Sequence, residues 1–107
     1  GIADETRAAI DRLMFERRVT LDDVAHYLGL TPRTLQARLA HEAATFEDVL
    51  NQARRSRAEQ LLAGSELTMT DIALQLGFSE LSAFTRAAQR WFGRPPSAQR
   101  RFYQKAH

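Results

Sequence analysis

The chain has no cysteine, which removes disulfide staples, thiolate metal sites and thiol nucleophiles in one step. It also lacks any apolar run approaching a membrane span, any stretch resembling a secretory signal and any glycine-rich phosphate loop. Its histidines, His26, His41 and His107, have neither the spacing nor the partners of a metal site. No segment reads as a strand. These absences favour a reduced, cytoplasmic compartment and an all-helical fold, and no cofactor is expected. An opening on Gly1 instead of Met reads as a fragment cut from a longer protein. Acidic residues are missing from one region in particular. Between Leu81 and His107 stand Arg86, Arg90, Arg94, Arg100, Arg101 and Lys105, with no Asp or Glu. A solvated helical face usually mixes both signs, so a basic, acid-free segment points to phosphate as a partner.

What is present is 107 residues, 44% of them apolar, enough for one ordinary domain or two small lobes. The net charge of +2 conceals an imbalance: residues 1–53 hold six basic and nine acidic side chains, residues 54–107 nine and four.

The most telling feature is a repeat. TLDDVAHYLGLT at 20–31 returns 48 positions later as TMTDIALQLGFS at 68–79. Each copy contains a helix start, a short amphipathic helix, a glycine turn and the cap of a second helix, which is the layout of a helix-turn-helix. Thr20 with Asp23, and Thr68 with Asp71, are spaced as capping boxes. Leu21, Val24, Ala25 and Leu28, like Met69, Ile72, Ala73 and Leu76, form buried stripes. Gly29 and Gly77 supply the left-handed residue that ends each first helix.

Seven helices are expected. The first runs over Asp4–Arg17 with Ala9, Ile10, Leu13 and Met14 inward. The two helices of the first repeat follow, the second opened by Thr31-Pro32 and ending near His41–Ala44. A long helix over Phe46–Ala63 stops at Gly64-Ser65. In the second repeat Ser79 caps a helix reaching Phe92, with Leu81, Phe84, Ala88 and Trp91 inward. After Gly93 and the Pro95-Pro96 break, Ser97 caps a last basic helix to Lys105. The expected division is a first lobe over 1–45, a linker helix over 46–64 and a second lobe over 65–107. Short connections favour a single rigid body.

In a helix-turn-helix the second helix enters the major groove, so its outward face should carry donors and no acids. With Leu35 and Leu39 inward, the first copy presents Arg33, Gln36, Ala37 and Ala40. With Phe84 and Ala88 inward, the second presents Ser82, Thr85, Arg86 and Gln89. The offset here is 49, because the second turn is one residue longer. Arginine suits guanine O6 and N7, glutamine suits adenine N6 and N7, and the hydroxyls suit a base edge or a phosphate. The candidate base readers are Arg33, Gln36, Ser82, Thr85, Arg86 and Gln89. The candidate phosphate contacts are Thr34, Arg38, Arg90, Arg100 and Arg101. Arg54, Arg55 and Arg57 on the long helix could meet phosphate or pair with carboxylates such as Glu59. That helix, roughly 26 Å long, together with the widths of the flanking lobes can bridge groove faces about 34 Å apart. Trp91 and Phe92 read as core, not as a base-stacking platform.

The segments DVAHYLGLTPRTLQARL and DIALQLGFSELSAFTRAAQRWFGRPPSAQRR resemble the C-terminal DNA-binding domain of the AraC/XylS family of bacterial transcription regulators, from about Thr20 to Arg101. The resemblance implies seven helices and two helix-turn-helix lobes that enter adjacent major grooves of promoter DNA. It implies RNA polymerase as a further partner, and an N-terminal effector-sensing or dimerisation domain in the full-length protein. Family recognition positions fall on Arg33, Gln36 and Ala37, and on Ser82, Thr85 and Arg86. Two residues depart from the pattern. Ala88 stands where an aromatic is common, which implies a second core that is either looser or repacked. Ala37 stands where a basic or polar residue is frequent, which shifts weight to Arg33 and Gln36. A helical protein-interaction module is the first rival. The second is an enzyme such as the helix-turn-helix domains fused to DNA-repair alkyl transferases, whose cysteine chemistry these residues lack.

Overall fold

The computed structural model describes residues 1–14 and 18–106, and among them the chain forms seven α-helices and no strand. They are α1 (Ile2–Leu13), α2 (Leu21–Tyr27), α3 (Pro32–His41), α4 (Phe46–Gly64), α5 (Met69–Gln75), α6 (Leu81–Phe92) and α7 (Pro96–Ala106). The expected extension of the first helix to Arg17 falls on residues outside those described, as does His107. No helix among the described residues is long and apolar enough to cross a membrane.

The chain divides into two compact units, Gly1–Arg54 and Arg55–His107, so the boundary lies inside α4 and not at its ends. In the first unit α1, α2 and α3 pack on one another, burying Ala9, Ile10, Leu13, Val24, Ala25, Leu35 and Leu39. Phe46, Val49, Leu50 and Ala53 are the buried side of the α4 segment belonging to this unit. In the second unit α6 packs against both α5 and α7. Ala58, Leu62, Ile72, Ala73, Leu76, Phe84, Ala87 and Ala88 are buried there.

Threonine starts four of the helices. Thr20 and Asp23 exchange amide-to-side-chain bonds at 3.1 Å each, the reciprocal capping box expected at α2. Thr45 and Asp48 build a second box at the start of α4, again at 3.1 Å in both directions. Thr31 and Thr68 each accept the amide three residues on.

Two starts differ from the sequence expectation. The residue at the head of α6 is Glu80, whose side chain makes no capping bond, and Ser79 lies outside the helix. The last helix opens on Pro96, where a missing amide forfeits no intrahelical bond, so Ser97 sits within the first turn and is not the cap.

The start of α1 relies on a remote side chain. Glu42, just past α3, accepts from the amides of Ile2 at 2.8 Å and Ala3 at 3.1 Å, so it caps α1 from across the unit. The bonds from Ala3 and Ile2 hold its carboxyl below the usual carboxylate range. Ala43 follows with φ +56°, the left-handed conformation that glycine adopts without a Cβ penalty.

Ala43→Gly is expected to stabilise the chain by roughly 0.5–1 kcal/mol. That is the difference between a left-handed penalty of about 1–2 kcal/mol and an unfolded-chain entropy of about 0.4–1 kcal/mol. Urea denaturation checks it through a higher midpoint at unchanged slope; a lower midpoint would show that the left-handed Ala43 carries no penalty here.

Candidate nucleic-acid interface

The two repeats fold into the same turn. At the end of α2 the Leu28 amide donates to Val24 O, Gly29 to His26 O and Leu30 to Ala25 O. At the end of α5, Leu76 donates to Ile72 O, Gly77 to Leu74 O and Phe78 to Ala73 O. Each of these bonds matches its counterpart at an offset of 48. Gly29 and Gly77 sit at φ +71° and +87°, where a side chain would be strained. Ala25 and Ala73 are fully buried, which suits close approach of the paired helices. Past the turn the second copy carries one more residue. The heads of α3 and α6, Thr31 and Glu80, are therefore 49 apart.

Each second helix turns one stripe inward. Leu35 and Leu39 of α3 are fully buried, as are Phe84, Ala87 and Ala88 of α6. Opposite them Arg33, Gln36, Ala37, Arg38 and Ala40 are exposed on α3. Ser82, Arg86, Gln89 and Arg90 are exposed on α6, with Thr85 half-buried at the edge of the same face. Neither helix contains a carboxylate. Thr34 is half-buried and its Oγ1 accepts from Thr31 Oγ1 at 2.9 Å, so it is partly occupied by the cap.

The two faces are not copies. At the 49-residue offset Arg33 corresponds to Ser82 and Ala37 to Arg86, so each arginine stands one turn away from its counterpart position. Arg38 corresponds to Ala87, exposed in one helix and buried in the other.

Other arginines are drawn into the structure. Arg100 is the clearest case. Its Nε donates to Leu62 O at 3.1 Å, one terminal nitrogen to Leu67 O at 2.7 Å and the other to Leu61 O at 3.1 Å. This guanidinium ties the last turn of α4, through Leu61 and Leu62, to Leu67 in the connection that follows, at a helix end where a positive charge is favoured. Arg94 lies over the Phe102 ring at 4.7 Å, within the favourable range for a cation on an aromatic face. Arg55 pairs with Glu59 at 3.4 Å and lies over Phe92 at 5.7 Å. Arg54 is half-buried, and burial lowers the pKa of its guanidinium. Arg101 and Lys105 are exposed.

In the second unit Phe78 stacks on Phe84 with centroids 5.9 Å apart and meets Trp91 at 6.3 Å. Trp91 and Phe92 are half-buried and in edge contact, so they line the core margin. Leu81, expected inward, is instead 38% exposed as the first residue of α6. Its spacing from Phe84 and Ala88 fits the inner stripe, and no neighbouring residue signals that the helix begins only there.

Fold and site together define a tandem helix-turn-helix domain. A family model described as a helix-turn-helix domain matches residues 24–101. An uncharacterized HTH-type transcriptional regulator of Mycobacterium tuberculosis is 42% identical over 78 residues, covering 73% of this chain and 23% of that protein. The transcriptional regulator CdpR of Pseudomonas aeruginosa is 34% identical with a TM-score of 0.84, over 94% of this chain and 32% of that one. The DNA-binding domain of AdpA, a global transcriptional factor solved in complex with a target DNA, shares the fold at a TM-score of 0.79 and 21% identity. That likeness covers 99% of this chain and 95% of that one. The chain belongs to the AraC-type helix-turn-helix domain family of bacterial transcription regulators. It spans about a quarter of the length of the curated relatives it matches.

Arg100→Ala and Arg100→Lys should both lower stability, by about 2–3 kcal/mol, because three carbonyls lose a charged donor that lysine cannot replace at once. Urea midpoints read the loss. If the lysine variant is as stable as the parent, the three-carbonyl cap carries no weight.

Proposed function

We propose that this chain is a sequence-specific reader of double-stranded promoter DNA, with α3 and α6 entering adjacent major-groove segments of one asymmetric site. The observation that carries this reading is the pair of exposed, carboxylate-free faces on the second helices of two turns with the same hydrogen-bond pattern. AdpA, solved with a target DNA, lends the same direction from a shared fold.

In this reading Arg33 and Gln36 take base edges from α3, and Ser82, Thr85, Arg86 and Gln89 from α6. Arg or Gln at such a position can hold two atoms of one purine, which separates it from the other base pairs. Ala37 offers only a methyl, so the first unit depends on Arg33 and Gln36. Thr34, Arg38, Arg90 and Arg101 hold phosphates. Arg100 is assigned to the end of α4 and not to DNA, since its donors already face three carbonyls. In the longer protein, a further domain for effector sensing or dimerisation and contact with RNA polymerase would turn this binding into control of transcription.

Selection from a random duplex pool provides the cognate site on which two outcomes are expected. Arg33→Ala and Arg86→Ala each weaken binding there by about 1–3 kcal/mol and relax the preference at one or two base pairs. Equal losses on cognate and random duplex would make them phosphate contacts instead.

Arg101→Ala should weaken cognate and random duplex alike and reduce the salt slope by about one. A loss confined to one base pair contradicts that assignment. Absence of affinity for any duplex, even at low salt, overturns the reading as a whole and leaves the protein-interaction module in its place.

A further inference from the structure

Leu81 is a large apolar side chain left 38% exposed on a helix whose other exposed residues are polar or basic. It is the first helical residue of α6, one position before Ser82 and one turn before Thr85. A side chain at i lies beside those at i+3 and i+4, so Leu81 borders the face that Ser82, Thr85 and Arg86 present. Single exposed leucines are ordinary on protein surfaces. This one is set apart by its place at the N-terminal end of a reading helix, the end whose residues meet base edges.

Its neighbour narrows the choice of contact. Glu80, exposed immediately before it and making no capping bond, puts a negative charge at this end of α6 that disfavours phosphate oxygens. A leucine offers no donor or acceptor to a base. The major-groove feature it can cover is the C5-methyl of thymine, the one apolar group among the base edges. At the equivalent place in the first unit stands Pro32, whose ring is half-buried, so the contact belongs to the second unit alone.

Resting on the promoter-reading function above, we propose that Leu81 is a specificity-determining residue that packs on a thymine methyl and fixes a T·A pair beside the bases read by Ser82 and Arg86. Removing that methyl, or the leucine, loses the same contact. Burial of one methyl is worth roughly 0.8 kcal/mol, which is about a fourfold change in affinity.

The test replaces each thymine of the selected duplex, one at a time, with deoxyuridine, which deletes the methyl and leaves the Watson–Crick pattern intact. Parent and Leu81→Ala chains are titrated against the series, with urea midpoints confirming that the exposed substitution leaves the fold unchanged. At one thymine, deoxyuridine is expected to weaken the parent about fourfold and the variant not at all. If the parent selects a site but every deoxyuridine effect persists in Leu81→Ala, the thymine-methyl contact is overturned and the promoter-reading function stands. If the parent selects no site, both fall together.

Discussion

Burial of one apolar stripe on each second helix decides which side chains face outward. Leu35 and Leu39 are fully buried on α3, and Phe84, Ala87 and Ala88 on α6. Burying a leucine or phenylalanine side chain is worth about 1.5–3 kcal/mol. Turning α3 by a single residue position would expose both leucines and lose several kcal/mol, more than the roughly 1–3 kcal/mol a good base contact supplies. Packing therefore sets the outward faces before any partner arrives. Arg33 and Gln36, or Ser82 and Arg86, are presented because the opposite stripe is held in.

The glycine turns and threonine caps convert that stripe into a fixed phase. Gly29 and Gly77 end the first helices with the same three bonds, and Thr31 starts α3 two residues after its glycine. In the second unit one added residue delays the start to Leu81. Repeated sequence thus produces two unequal faces, with arginine on the first turn of α3 and one turn further along α6. The inequality extends to a further position, since Ala87 is buried where Arg38 of the first unit is exposed. Two unequal faces fit an asymmetric site better than a pair of identical half-sites.

Much of this was legible in the sequence because it is local. Thr20 with Asp23, the glycine turns, Thr31-Pro32 and the inward stripes all act within one or two helical turns, and the family motifs span both units. What escaped depends on partners far along the chain or on where a helix begins. Glu42 caps α1 from about forty residues away, and Arg100 reaches carbonyls more than thirty residues back. An arginine in a basic, acid-free segment looks the same in sequence whether it faces solvent or a helix end. Ser79 has the residue type of a cap, which places Leu81 one position inside the helix, whereas Glu80 holds the cap position without a capping bond and the helix starts on Leu81. Ala43 in a left-handed conformation carries no sequence signal, as glycine would.

The central claim is that the outward faces of α3 and α6 are the DNA-reading surfaces. Residue-resolved NMR titration of the chain with a selected duplex tests it most directly. The expected result is that Arg33, Gln36, Ala37, Ser82, Thr85, Arg86 and Gln89 shift strongly, while the exposed acidic side of α1 at Asp4 and Asp11 stays unchanged. Shifts confined to α1 and α2, with α3 and α6 silent under saturating duplex, would contradict it.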